Sequence, residues 1–515
     1  MQNCLSPSFS LLSRSIQRIS RPVRAAFLAA FISGLIIYGY AITNIVLCTG
    51  DALNNAIFNG NLIWIGRWSS HWLSALSTDY SLPAVSTLLM ILAVSLLAGL
   101  AASLLRFRSS LTAVLGGLVL MSHPAVGNIL VYLHNADAYM IAALLGVWAL
   151  WMIDRHTSWW WMLAAIPLLA IGAGTYQAVL SLVVALMFVR AVQRILGGDD
   201  DNRTLLLTAG RYAVLFIASL VIYYVMVQVS TAASGLILTD YQSTSTMGQF
   251  TVQEFWQNFK GCYADFKQSI TFLSFRPGYY VNGYPNYLFT AIVLGLIPVC
   301  FCFAKNKTVL KALVVLLLFV LSPLLLCSIR LANPGFVQPR MTYSMACLYL
   351  LGLALAQFIE ENWSRLPRKR LVSAGFSACT WIIAICLTVA VFVWSVGINL
   401  DLYRGKKEYD HLYSSCTDYL QRAESVDDYN PGMPIYVIGA AENSARQSPK
   451  LSEPASYYAF MVHYMDVVMP YGIANNVNDA ALQLQQTHQF QSMPCWPAVG
   501  CAARFDDSIV IKLGN

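Results

Sequence analysis

Residues 25–47 read AAFLAAFISGLIIYGYAITNIVL, a run with no charged residue, directly behind Arg14, Arg18, Arg21 and Arg24. A helix that crosses the ~30 Å hydrocarbon core of a bilayer needs about 20 apolar residues. A cleavable signal peptide instead carries an apolar region of roughly 7–15 residues and a small-residue cleavage site. The run here is longer and simply continues. It is expected to be a retained first membrane helix, starting in the cytoplasm behind its cluster of arginines.

Ten further apolar runs follow, at roughly 83–105, 111–133, 138–153, 159–172, 176–193, 212–230, 286–304, 312–329, 342–358 and 373–398. The chain is 57% hydrophobic and only 11% charged, against about 25% charged in an ordinary soluble domain. A soluble core cannot absorb that much apolar side chain, so lipid must solvate part of it. The net charge of +7 comes from short basic clusters between apolar runs and not from one patch, which argues against a nucleic-acid partner. The expected fold is an all-α polytopic membrane protein of about eleven transmembrane helices with a small C-terminal α/β domain. Its parts are a cytoplasmic segment 1–24, a membrane domain 25–398 and a soluble domain 399–515.

Eleven crossings that start inside place residues 399–515 outside, and the basic residues agree. The proposed inner loops hold Arg106, Arg108, Arg155, Arg190, Arg194, Arg203, Arg211, Lys305, Lys307, Lys311, Arg365, Arg368, Lys369 and Arg370, besides the four N-terminal arginines. The outer loops ahead of the tail hold Arg67, Lys260, Lys267, Arg276, Arg330 and Arg340. This positive-inside bias orients the N-terminus to the cytoplasm and the C-terminus to the periplasm of an inner membrane.

Three outer segments stand out. Within 48–82, Leu53, Ile57, Ile65, Trp68, Trp72 and Leu76 recur every three to four residues, the pattern of an amphipathic helix lying in the interface. Residues 231–285 form a long aromatic loop closing on FRPGYYVNGYPNY, and RLANPGFVQPRM (330–341) makes a short turn. Pro124 interrupts the third span and GAGTYQ lies between the fifth and sixth, and broken helices of this kind are tolerated where protein or a water-filled cavity supplies backbone partners. A cavity open to the outer face is expected there. In the tail, PIYVIG (434–439) and SIVIKL (508–513) read as strands. Most of the twelve cysteines lie in apolar runs as small hydrophobes. Cys495 and Cys501, in CWPAVGC, suit a disulfide if the tail is outside. No cysteines and histidines have zinc-ligand spacing, so no metal or other cofactor is expected.

Ionisable residues that positive-inside logic leaves unexplained gather at the outer ends of spans, where charge near hydrocarbon is costly and often functional. Asp51 follows the first helix in CTGDALNN, Arg67 lies in GRW, Asp137 in HNAD, and Arg340 precedes the tenth span. Tyr176 and Gln177 occupy the turn between. Each has a structural alternative: an interfacial acid or helix cap for Asp51 and Asp137, a membrane anchor for Arg67 with Trp68. Their sharing of one face favours function.

The acid at the outer end of the first helix, then GRW at 66–68, HNADAYM at 134–140 and TYQ at 175–177, resemble the bacterial serotype-converting O-antigen glucosyltransferases over most of residues 25–400. Members often carry two adjacent acids in the first outer loop. Here Ala52 follows Asp51, which weakens the case for a two-carboxylate or metal-binding role. The resemblance implies a GT-C type glycosyltransferase that takes glucose from polyprenyl-phosphate glucose and adds it to O-antigen repeats of lipopolysaccharide. It also implies reliance on a polyprenyl-phosphate glucose synthase and a flippase. Polyprenyl phosphate departs as a stable anion and needs no protonating acid, so one carboxylate suffices. Asp51 is the expected general base. Arg67 and Arg340 are the expected phosphate ligands, because guanidinium grips phosphate oxygens in pairs. Asn54, Asp137, Tyr176, Gln177 and Trp68 are expected at the sugar. Rival readings are an O-antigen polymerase, another GT-C transferase, or a transporter of lipid-linked sugars. A transporter would place its charges near the bilayer midplane, whereas the mid-span residues here are almost wholly apolar.

Overall fold

The computed structural model describes residues 17, 19–44, 62–77, 82–198, 200–239, 251–271, 284–332, 337–365, 370–430, 432–438 and 483–513. Each of the eleven apolar runs holds a helix, since a helix satisfies all its backbone groups within one segment and lipid offers none. These are α1 (Arg21–Thr43), α3 (Pro83–Leu104), α4 (Ser110–Ser122) with α5 (Pro124–Leu130), α6 (Leu133–Arg155), α7 (Trp159–Thr175), α8 (Val179–Gly197), α9 (Asn202–Ser234), α11 (Tyr284–Phe301), α12 (Val309–Leu326), α14 (Ala346–Glu361) and α15 (Arg370–Glu424). Between them lie the short α2 (Ser70–Ser74) and α13 (Ile329–Ala332), and α10 (Val252–Thr271). Among the described residues nine helical segments are long and apolar enough to cross a membrane, and Trp159–Thr175 and Asn286–Phe301 are shorter apolar helices.

α1 packs on α3 and α4, α3 on α6, and α6 on α7; α8 lies against α12 and α14. The outer helices turn their apolar faces away from protein. Only 22% of the most apolar stretch of α9 is buried and 28% of that of α15, with Ile217, Val221, Val225 and Phe392 among the exposed side chains. Such surface is stable only in lipid.

The third run breaks at Pro124, which starts α5 after His123 takes an extended conformation. Proline has no N–H and clashes with the preceding turn, so the last carbonyls of α4 lose their helical partners. The fold replaces them. Tyr38 of α1 donates its hydroxyl to the Met121 carbonyl at 3.1 Å, and Tyr343 donates to the Leu120 carbonyl at 3.0 Å. Both tyrosines are buried.

At the far end of α6, Asp154 ties three helices together. It accepts from Arg190 Nε of α8 at 3.2 Å, from Arg194 Nη2 at 3.1 Å and from the Tyr212 hydroxyl of α9 at 2.7 Å. A buried carboxylate with this many donors stays charged and fixes the register of its neighbours.

α15 continues unbroken from its membrane stretch to Glu424. Beyond it, β1 (Ile435–Ile438), β2 (Ala502–Phe505) and β3 (Ser508–Lys512) form a sheet of order β1-β3-β2, β1 parallel and β2 antiparallel to β3. A short helix, α16 (His488–Ser492), precedes β2. The two strand-like runs of the tail are thus the parallel pair. Tyr419 of α15 meets Trp496 edge-on at 4.8 Å, which seats this unit on the helix.

Two expectations are corrected. Cys495 and Cys501 are not joined in a disulfide. The described part of the 48–82 segment, residues 62–77, is also not one amphipathic helix. It is a 3-10 turn (Ile63–Ile65), α2, and a second 3-10 turn (Ala75–Ser77). Its polar stripe of Ser70, Ser74 and Ser77 is buried, and α2 packs on α6. The hydroxyls donate to backbone carbonyls three residues back, so small polar side chains face protein here, as they do in tight helix contacts within membranes.

Candidate active site

The site forms where this 62–77 segment folds onto the first turns of α6 and the turn between α7 and α8. Gly66 takes φ +75° to end the 3-10 turn, and its N–H returns to the Ile63 carbonyl at 2.8 Å. That left-handed position favours glycine. The reversal pairs Arg67 with Leu62 and the Arg67 side chain is buried in the protein, 6% exposed. The next residues clamp the loop down. Ser69 N–H donates to the Gly174 carbonyl at 3.2 Å and Ser69 Oγ donates to the Ile171 carbonyl at 2.9 Å. The Trp68 indole lies on Gly174 so closely that a Cβ there would stand 2.4 Å from it. The glycines of GAGTYQ therefore serve close approach.

Arg67 is surrounded by neutral groups. Its Nε donates to Gln177 Oε1 at 3.2 Å and its Nη1 donates to the Tyr139 hydroxyl. The guanidinium also sits 5.2 Å from the Tyr139 ring centre and 5.5 Å from that of Tyr176. Those two rings stack on each other at 4.3 Å. Gln177 is held in turn by donating Nε2 to the Ile65 carbonyl at 3.1 Å and to the Tyr223 hydroxyl at 3.3 Å. Arg67 makes no ion pair among the described residues. A guanidinium has five N–H donors, and the described hydrogen bonds occupy two of them. A buried cation without a counter-ion is costly, and an incoming anion would relieve that cost.

Arg340 reaches the same place from the turn before α14. It too is buried, and its guanidinium lies 3.9 Å from the centre of the Tyr132 ring. Its carbonyl accepts the Tyr176 hydroxyl at 3.0 Å. Tyr176 thus touches both arginines: its ring faces Arg67 and its hydroxyl holds the Arg340 backbone. Burial raises the pKa of this phenol, while Arg340 and Arg67 act against that rise. Tyr132 caps the start of α6 and Tyr139 lies seven residues further on, so both guanidinium groups meet the same end of this helix.

Asp137 lies between these tyrosines in the chain. Its side chain is fully buried in the first turns of α6, with the Ser77 hydroxyl beside it. Neither carboxylate oxygen has a well-directed donor among the described residues. Asp51 and Asn54 lie outside the described residues. Arg67, Arg340, Tyr176, Gln177, Asp137 and Trp68, though scattered over the chain, all fall around one end of α6. Among the described residues no three His, Cys, Asp or Glu side chains are grouped to hold a metal ion.

The tyrosines were the residues that sequence reasoning missed. Tyr132, Tyr139 and Tyr223 shape the arginine environment, and the signal for the first two was their seven-residue spacing across the start of one helix. The seryl stripe 70, 74, 77 was also readable at helical spacing.

No curated protein and no solved structure matches this chain. The family model described as glucosyl transferase GtrII matches residues 39–353, more than half of the 515 residues, and that stretch includes every site residue named above. The chain is a membrane-embedded glycosyltransferase and belongs to the GtrII glucosyl transferase family, whose role is O-antigen modification.

Proposed function

We propose that the protein transfers glucose from polyprenyl-phosphate glucose to O-antigen repeat units at the periplasmic face of the bacterial inner membrane. The observation that carries this reading is Arg67: a buried guanidinium with neutral described partners and donors to spare, at one end of the bundle. A lipid-linked sugar phosphate presents its anion at that depth, and Arg67 and Arg340 would take its oxygens as charge develops on the leaving group.

In this mechanism an acceptor hydroxyl attacks the anomeric carbon while Asp51 accepts its proton. The bond from that carbon to the phosphate oxygen breaks, and polyprenyl phosphate leaves as an anion stabilised by both arginines. Stacking on Tyr139, Tyr176 and Tyr132 fixes the guanidinium planes before the donor arrives, which lowers the ordering cost of binding. Asn54, Asp137, Tyr176, Gln177 and Trp68 are assigned to the sugar. Trp68 is clamped on Gly174, so its contribution would be to hold the loop that carries Arg67 against the sugar site. A synthase and a flippase would supply the donor on the outer leaflet.

The same reading sets the topology: eleven crossings, with the N-terminus cytoplasmic and the sheet of the tail periplasmic. A phosphatase fusion at about residue 410 should be active, and a cytoplasmic reporter at that point silent. The function is tested by glycan analysis of O-antigen from a strain that makes polyprenyl-phosphate glucose, with and without the protein. Glucosylated repeats that require the protein are expected. Unchanged repeats would overturn the proposal.

A further inference from the structure

A second polar site lies at the opposite end of the bundle from Arg67. Asp137 and Asp154 mark the two ends of α6, 17 residues and so about 25 Å apart. Beside Asp154 is a cavity of about 150 Å³, lined by the loop after α3, the end of α8 and the end of α14. A space of that size admits several waters or one phosphate group.

Four arginines line it: Arg106, Arg108, Arg190 and Arg194. Their loop is built with care. Gln193 donates Nε2 to the Leu105 carbonyl at 2.8 Å, and Gln357 donates Nε2 to the Arg106 carbonyl at 3.2 Å while accepting the Arg108 N–H at 3.0 Å. Arg106 itself is held at φ +51°, a backbone conformation that disfavours any side chain and tends to persist where a site depends on it.

The carboxylates nearby are largely committed. Asp154 is shared by Arg190 and Arg194, and Asp200 receives Arg194 Nη1 at 2.8 Å. Glu361 meets Arg108 at 3.4 Å and also accepts from Gln357 at 2.9 Å. Arg190 spends only Nε on Asp154 and leaves both Nη groups without a described hydrogen bond. Arg106 makes no ion pair among the described residues. Burial and the positive charge of Arg190 lower its pKa, with Arg194 and Arg155 adding to the effect and Asp154 opposing it. Cations crowded in this way attract an anion whose oxygens can take several guanidinium donors at once.

We propose that this pocket binds a phosphate group, gripped by Arg106 and Arg108 against the fixed Arg190–Arg194 pair. Two sources share that chemistry: free phosphate in solution, and the headgroup of an anionic phospholipid in the adjacent leaflet. The pocket is distinct from the sugar-phosphate site, and its ligand is not the glucose donor.

The test uses the full-length protein and two probes. One is inorganic phosphate titrated onto protein in neutral detergent. The other is phosphatidylglycerol in nanodiscs of otherwise pure phosphatidylcholine, with bound lipid counted by native mass spectrometry. Saturable binding to either probe is expected, weakened about tenfold or more in Arg106→Gln and Arg108→Gln, since each removes a charge-assisted pair of hydrogen bonds. Binding of inorganic phosphate identifies the free anion, and retention of phosphatidylglycerol alone identifies the headgroup. Arg108 is 78% exposed, so its variant should fold even if the Arg106 variant does not. Absence of binding by both probes, or equal binding by the wild type and the Arg108 variant, overturns the proposal.

Discussion

Replacing Arg67 with Met separates a cation that waits for a ligand from one that holds the fold. The substitution keeps an unbranched stem as far as the Nε position and removes the charge and donors. Lost with it are the hydrogen bonds to Gln177 and Tyr139, each about 1.5–3 kcal/mol when the donor is charged. The ring contacts at 5.2 and 5.5 Å add about 1–2 kcal/mol. Against this stands relief of several kcal/mol from burying an ion with no described counter-ion. The two sides nearly cancel, so stability should change by no more than about 2 kcal/mol. Gln177 keeps its bonds to Ile65 and Tyr223, and the turn therefore stays in place. Activity should behave differently. Loss of one donor group aimed at developing phosphate charge lowers kcat/KM by about 10²–10³-fold. Arg67→Lys should fall between, because it keeps the charge and loses the two-pronged grip. Two assays are needed at matched protein level: glucosyl transfer in membranes, and thermal unfolding with and without polyprenyl-phosphate glucose. At a hundred times its Kd the donor should stabilise the wild type by about 2.7 kcal/mol and the Met variant hardly at all. A Met variant that transfers glucose within about threefold of the wild type would refute the reasoning.

Asp51→Asn keeps size and most hydrogen bonding but removes the proton-accepting charge. Transfer should fall about 10²–10⁴-fold with membrane insertion intact, and near-normal O-antigen modification would shift suspicion to Asp137. Tyr343→Phe leaves the Leu120 carbonyl at the α4–α5 break without the hydroxyl that now reaches it at 3.0 Å. A cost of about 1–2 kcal/mol in thermal unfolding is expected, within the range for buried polar contacts in membranes. An unchanged midpoint would mean that the break is satisfied in another way. Asp154→Asn leaves Arg190 without its described counter-ion and Arg194 with Asp200 alone, and loss of about 3–5 kcal/mol or failure to accumulate is expected; full stability at normal yield would deny Asp154 its role as a tie between helices.

The membrane helices were legible because lipid imposes a length and a composition that no soluble core requires. The break at Pro124 was legible for the same kind of reason, since proline has no N–H to give; at GAGTYQ, by contrast, α7 continues to Thr175, and Gly174 has no side chain to keep Trp68 away. The 62–77 segment misled. Trp68 and Trp72 recur at helical spacing, but periodicity does not report that Gly66 reverses the chain and turns Arg67 inward. The charged candidates were singled out by their positions at span ends, whereas Tyr132 and Tyr139 were not, since aromatic residues at a membrane boundary are common for reasons of their own. Only packing shows that each faces a guanidinium. The cysteine pair misled in a simpler way, because spacing in sequence does not fix the Cβ geometry that a disulfide needs.

The central claim is that the protein moves glucose from a lipid phosphate to O-antigen, and reconstitution tests it most directly. Purified full-length protein in liposomes would be given polyprenyl-phosphate glucose with a labelled sugar and an O-antigen acceptor on undecaprenyl pyrophosphate or lipid A. The account predicts label in the O-antigen, release of unglucosylated polyprenyl phosphate in equal amount, and loss of both in Asp51→Asn and Arg67→Met. Transfer that requires a nucleotide sugar in place of the lipid-linked donor, or none from folded protein with both substrates present, would contradict it.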